Sequence, residues 1–106
     1  REIYVFGGEL GVRTPLTTAE RLDERTSQWT TLRPMPLPTS MACVSALPGD
    51  PYSLAVIGGK TLVSAQTAAA STSTMIYDTR NNQWRIADEL ALPEGVWRAA
   101  SVFLTE

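Results

Sequence analysis

The sequence predicts an all-β repeat protein, and three observations carry that prediction. A short apolar run ends in a diglycine twice, at Ile3-Tyr4-Val5-Phe6-Gly7-Gly8 and at Leu54-Ala55-Val56-Ile57-Gly58-Gly59. An aspartate and then a tryptophan follow each copy, as Asp23 with Trp29 and as Asp78 with Trp84. The diglycines lie 51 residues apart and the Asp and Trp pairs 55 apart, a period near 50 that marks a repeat whose single unit cannot bury its own apolar face. The chain is therefore expected to be a piece of a stacked assembly.

Each element follows from local chemistry. Ile3 to Phe6 is a short apolar run stopped by glycine, which reads as a buried strand. Thr18 to Leu22 and Thr74 to Tyr77 read as second strands. Each ends in an Asp whose carboxylate can accept a backbone N–H two residues on and open a tight turn. Residues 24–27 and 79–82 supply the turns, with Arg25 and Arg80 at matched places, either solvated or bridging between sheets. Gln28 to Leu32 and Gln83 to Ala87 are third strands led by Trp29 and Trp84. Each indole is expected to bury on the order of 150–250 Å² between adjacent sheets. Proline-rich linkers follow, at 34–38 and at Leu92-Pro93, because proline cannot donate to a ladder. Ala42 to Leu47 and Arg98 to Leu104 read as fourth strands, headed at matched positions by Met41 and Arg98. Four extra residues enter the second loop after the diglycine and two enter the second linker, both places where insertion is cheap. No helix is predicted.

Thr61 to Thr74 is uncharged and rich in Ser, Thr and Ala. It reads either as a mobile surface loop or as a recognition or modification loop, and its alanines would allow a short helical turn.

Composition bounds the function. The 106 residues are 43% hydrophobic and 19% charged, with net charge −2, enough for one domain that buries about 60–68% of its unfolded surface. The pI of about 5.1 leaves no basic surplus for phosphates, so nucleic acid is not an expected partner. No apolar run reaches the ~18 residues that would cross a membrane. Opening on Arg1 rather than Met suggests a processed, excised or engineered segment. The single cysteine, Cys43, fits a reducing, cytoplasmic setting and reads as a small buried hydrophobe. With no histidine in the chain, Ser-His-Asp and Cys-His catalysis and the commonest transition-metal ligand are excluded. No carboxylate pair is placed for glycoside chemistry, and the adjacent Asp88 and Glu89 read as solvated. GxGxxG is missing, so no dinucleotide site is expected. No catalytic residue, cofactor or metal is assigned.

Strand, diglycine, loop, apolar-Asp dipeptide, tryptophan and proline linker together resemble the kelch repeat. The matching residues are Gly7, Gly8, Leu22, Asp23, Trp29 and Pro36, then Gly58, Gly59, Tyr77, Asp78, Trp84 and Pro93. Leu22 departs from the usual tyrosine. The resemblance implies β-propeller blades, each a four-stranded antiparallel sheet whose innermost strand precedes the diglycine strand. The 106 residues would then hold two blades' worth of strands in a permuted frame: strands two to four of a first blade in 1–40, a complete second blade in 41–97, and the innermost strand of a following blade in 98–106. The two open ends are complementary. The chain is thus expected to be either a fragment of a longer propeller or a unit that joins copies head to tail, three for six blades or two for four, and to be sticky or marginal alone.

The resemblance further implies a non-enzymatic protein-interaction module, with a partner protein or peptide on the face made by loops 9–17, 33–40, 60–73 and 90–97. Candidate contacts there are Arg13, Arg33, Trp97 and Arg98. Arg98 would face the central channel, whereas Met41 takes its place in the earlier repeat. Substrate recognition for a ubiquitin ligase and a scaffold role are the forms this takes among kelch proteins. One alternative is a carbohydrate-acting propeller such as a sugar epimerase, with Arg98 as its one ionisable channel residue. Another is an excised or engineered two-repeat fragment that assembles with itself.

Overall fold

A computed structural model describes residues 2–11, 14–64 and 67–95. These residues form an all-β structure of antiparallel strands. The predicted strand over Arg98 to Leu104 lies outside them.

Strands β1 (Glu2–Phe6), β4 (Ala19–Asp23) and β5 (Gln28–Thr31) form a three-stranded sheet in that order. Between β1 and β4 sits a small hairpin of β2 (Glu9–Leu10) and β3 (Thr14–Pro15). The second copy repeats the plan. Strands β6 (Cys43–Leu47), β7 (Asp50–Ile57), β10 (Thr74–Asp78) and β11 (Gln83–Ile86) form a four-stranded sheet in the order β11-β10-β7-β6. The hairpin of β8 (Lys60–Ser64) and β9 (Thr67–Ala70) stands between β7 and β10. A 3-10 turn at Asp88–Leu90 closes the described chain, where the sequence predicts no helix.

Two sequence-level expectations are corrected here. Most of the Ser/Thr/Ala-rich stretch is a β-ladder rather than a loop or helical turn, with Thr61 paired to Ala69 and Leu62 to Ala68. Its composition hides this, because small residues carry no alternation of apolar and polar positions. Trp29 is the second. Where burial between sheets is expected, it is 55% exposed, while Trp84 at the matched position is packed.

The repeat extends to single hydrogen bonds. Gly7 N–H donates to the Thr18 carbonyl at 2.7 Å, and Gly58 N–H to that of Ser73 at 2.9 Å. Leu32 N–H donates to Ala19 at 2.9 Å, and Ala87 N–H to Thr74 at 2.8 Å. The Asp turns match as well. The Asp23 carboxylate accepts the Arg25 N–H and that of Asp78 accepts the Arg80 N–H, both at 2.9 Å. Each turn closes through a residue of positive φ, Ser27 at 57° and Asn82 at 55°, and Asn tolerates that region better than most residues.

Gly7 needs its lack of a side chain. Its φ is +68°, and a Cβ there would collide with the Thr39 carbonyl oxygen and press on the Met35 methyl. This close approach brings the proline linker down onto the end of β1, where Gly8 N–H donates to the same Thr39 oxygen at 3.0 Å.

The core lies between the two sheets. Tyr4, Phe6, Ala19 and Leu32 of the first pack on Tyr77 and Trp84 of the second. Met35 and Leu37 of the linker extend this layer over Val56 and Met75. Alternation puts Tyr4 and Phe6 on the face toward the second sheet and Ile3 and Val5 on the opposite one.

Candidate interaction surfaces

Three surfaces could meet another molecule, and each is built by the repeat. The first is the seam between the sheets, which shows how one sheet receives the next. The Tyr77 ring lies 6.1 Å from Tyr4, 5.8 Å from Phe6 and 4.9 Å from Trp84, and the Phe6–Trp84 pair is edge-on at 5.3 Å. Such tilted contacts are the favoured geometry of aromatic quadrupoles. Burial pushes the Tyr77 hydroxyl above its ordinary pKa, with Tyr4 adding to the shift.

A polar latch seals the rim of this seam. Asn82 Oδ1 accepts both the Tyr77 hydroxyl at 2.8 Å and the Arg33 N–H at 2.9 Å. Arg33 Nε donates to the Asn82 carbonyl at 3.0 Å, and the Trp84 indole N–H donates to the Arg33 carbonyl at 2.8 Å. Arg33, a candidate partner contact from sequence, thus directs its Nε and both backbone groups at the second sheet. Sequence reasoning missed Asn82, which reads as an ordinary turn residue. Its place beside Trp84 in a left-handed turn was the available signal.

The second surface is the end of the molecule that carries the two small hairpins. Glu9 and Lys60 follow their diglycines at matched positions, and Lys60 Nζ reaches Glu9 Oε1 at 2.8 Å with both side chains largely buried. Ser40 of the linker donates its hydroxyl to the same oxygen at 3.1 Å. Backbone bridges join Leu16 to Thr39 and Ser40 to Lys60. Both hairpins and the linker thereby become one surface, on which Leu10 is 71% exposed. The pair of opposite charges 51 residues apart is visible in the sequence and went unread. Of the other candidates, Arg13, Trp97 and Arg98 lie outside the described residues.

The third surface is a cleft of about 310 Å³ on the second sheet, lined among others by Leu47, Asp50, Ser53, Ile76, Arg80 and Arg85. Its charges are already matched. Arg80 pairs with Asp78 at 3.4 Å and lies 4.5 Å over the Tyr52 ring, and Arg85 pairs with Glu89 at 2.9 Å. The Ser53 hydroxyl, then the Tyr52 N–H, hold Asp50 below its ordinary pKa of 3.8. The Arg80 N–H, then its guanidinium, do the same for Asp78. A depressed folded pKa means that the unfolded chain takes up the proton more readily. The stability these two groups add is therefore present above pH 3.8 and lost as pH falls through their folded values. Denaturant titrations below that pH should show stability falling, and Ser53→Ala should flatten the slope. An unchanged slope in the variant would show that the Ser53 hydroxyl does not hold the Asp50 pKa down.

Among the described residues, no group of three or more His, Cys, Asp or Glu could hold a metal ion, and no helix is long and apolar enough to cross a membrane. Cys43 is buried and unpaired by any disulfide. No curated protein matches the chain. A family model described as Kelch motif matches residues 1–36, which hold Gly7, Gly8, Asp23 and Trp29. That match identifies a kelch motif in residues 1–36, and the antiparallel sheets are of the kind a kelch blade contains.

Proposed function

We propose that the chain is a non-enzymatic protein-interaction module of the β-propeller type, and that a protein or peptide partner docks on the end carrying the two hairpins and the proline linker. The observation that carries this reading is the Glu9–Lys60–Ser40 cluster. It fixes two hairpins and a linker into one surface before any partner arrives, and preorganised surfaces bind at lower entropic cost. Leu10 supplies an exposed apolar contact on that surface, and Arg13 and Arg33 are proposed as charged contacts of the partner. In this reading residues 41–97 make one complete blade, 1–40 three strands of another, and 98–106 the first strand of a third. The order of β6, β7, β10 and β11 supports that division. Trp97 and Arg98 are proposed as further contacts of the partner. A reducing, cytoplasmic setting suits the free Cys43. Substrate recognition for a ubiquitin ligase or a scaffold role are the two cellular forms such a surface would take.

The test is a random peptide library selected on the purified chain. Selected peptides should lose at least about tenfold in affinity on Leu10→Asp with Arg13→Ala, the effect of removing an apolar anchor and a charged contact. They should be indifferent to Trp29→Glu on the sheet face. Peptides insensitive to the hairpin substitutions would sink this reading.

A further inference from the structure

The repeat offsets allow the two faces of the sheets to be compared position by position. On the second sheet, Val56, Tyr77 and Trp84 pack against the first sheet and its linker, and Leu54 lies directly opposite Tyr77 in the ladder. The matched residues of the first sheet are Ile3, Val5, Leu22 and Trp29, at offsets of 51, 51, 55 and 55. Their register agrees, since Ile3 lies opposite Leu22 and Leu22 opposite Trp29. Their surroundings differ. Val56 is 1% exposed and Val5 42%. A face that the fold buries in one copy stands open in the other.

The covering side shows the same asymmetry. Met35 lies buried over Val56 and Met75. Its counterpart 55 residues on is Leu90, on the 3-10 turn, which is exposed. Nearby on that side the cleft opens between Leu47, Ile76 and Arg85.

We propose that the open face of Ile3, Val5, Leu22 and Trp29 docks on the Leu90 side of the second sheet of another copy of this chain, head to tail. The internal seam is the template, because it joins the same positions of two successive repeats. Charge supports the choice of occupant. The residue after each diglycine alternates from Glu9 to Lys60, so across the new joint Lys60 of one copy meets Glu9 of the next, again with opposite sign. Had both positions carried one sign, a second copy would be repelled at the joint. Such a heterologous contact repeats until the rotation closes a ring. The inference concerns the sheet faces and stands or falls independently of peptide binding at the hairpin end.

Sedimentation of the 106-residue chain from micromolar to millimolar concentration tests it. Species at whole multiples of 11.5 kDa are expected. Trp29→Glu and Leu90→Glu should each weaken association by roughly thirtyfold or more, as loss of a central apolar anchor does, with circular dichroism unchanged because both side chains are exposed. The informative sample is an equimolar mixture of the two variants. Each retains the face that the other lacks, so the mixture should form a heterodimer of one intact joint and grow no further. A face-to-face contact between identical surfaces would give no such rescue and would overturn the proposal. So would a wild-type chain that stays monomeric, the outcome if this face belongs to other repeats of a longer polypeptide.

Discussion

Tyr77→Ala should cost about 3–5 kcal/mol in equilibrium denaturation, the range for removing a large buried aromatic ring. Tyr77 is 1% exposed and touches Tyr4, Phe6 and Trp84, so its ring is the centre of the seam. A domain of this size has only about 5–15 kcal/mol to lose, and the variant should be largely unfolded at mild denaturant concentration. Tyr77→Phe separates packing from hydrogen bonding. It keeps the ring and removes one donor to Asn82 Oδ1, which still accepts the Arg33 N–H. No buried polar atom is orphaned there, so the cost should be about 1 kcal/mol. Equal losses in the two variants would mean that the latch, and not the ring, holds the sheets together.

Gly7→Ala should destabilise by about 2–4 kcal/mol, placing it among the severe single substitutions. Two causes combine at this position. An L side chain is strained at φ +68°, and its Cβ would strike the Thr39 carbonyl, a backbone atom that cannot rotate away. Gly8 is the internal control. It has φ +119°, but a Cβ there meets nothing within 4 Å. Gly8→Ala therefore suffers strain alone, on the order of 1–3 kcal/mol. Thermal melts of both variants decide the matter. If Gly8→Ala proves the more damaging, close approach of the linker is not what selects glycine at position 7.

The legible parts of this fold were those in which local chemistry and tertiary context agree. β1, β4, β5, β10 and β11 show themselves as short runs bounded by Gly, Asp or turn residues, and each formed within a residue or two of the expected limits. The Asp-initiated turns were legible because the carboxylate finds its N–H two residues away, with no help from the rest of the chain. The β8–β9 hairpin was not, since small residues pair there through backbone alone, beside a linker that Ser40 binds to Lys60. Nor was the difference between Trp29 and Trp84. The two occupy equivalent positions in sequence and differ only in what lies over them. Arg33 shows the same limit from the other side. An exposed arginine beside prolines suggests a free contact, yet its backbone and Nε are turned to a residue 49 positions away.

The two sheets share most of their core. Tyr4, Phe6, Leu32 and Met35 cluster with Val56, Met75, Tyr77 and Trp84, so the first half loses its packing without the second, which keeps only the small cluster of Ala55, Ile76 and Ala87 for itself. A break in the exposed backbone near Pro36 would yield two pieces, each carrying half of one aromatic lock. Pieces of that kind make a split reporter: silent apart, ordered together, and brought to life by whatever draws their carriers close.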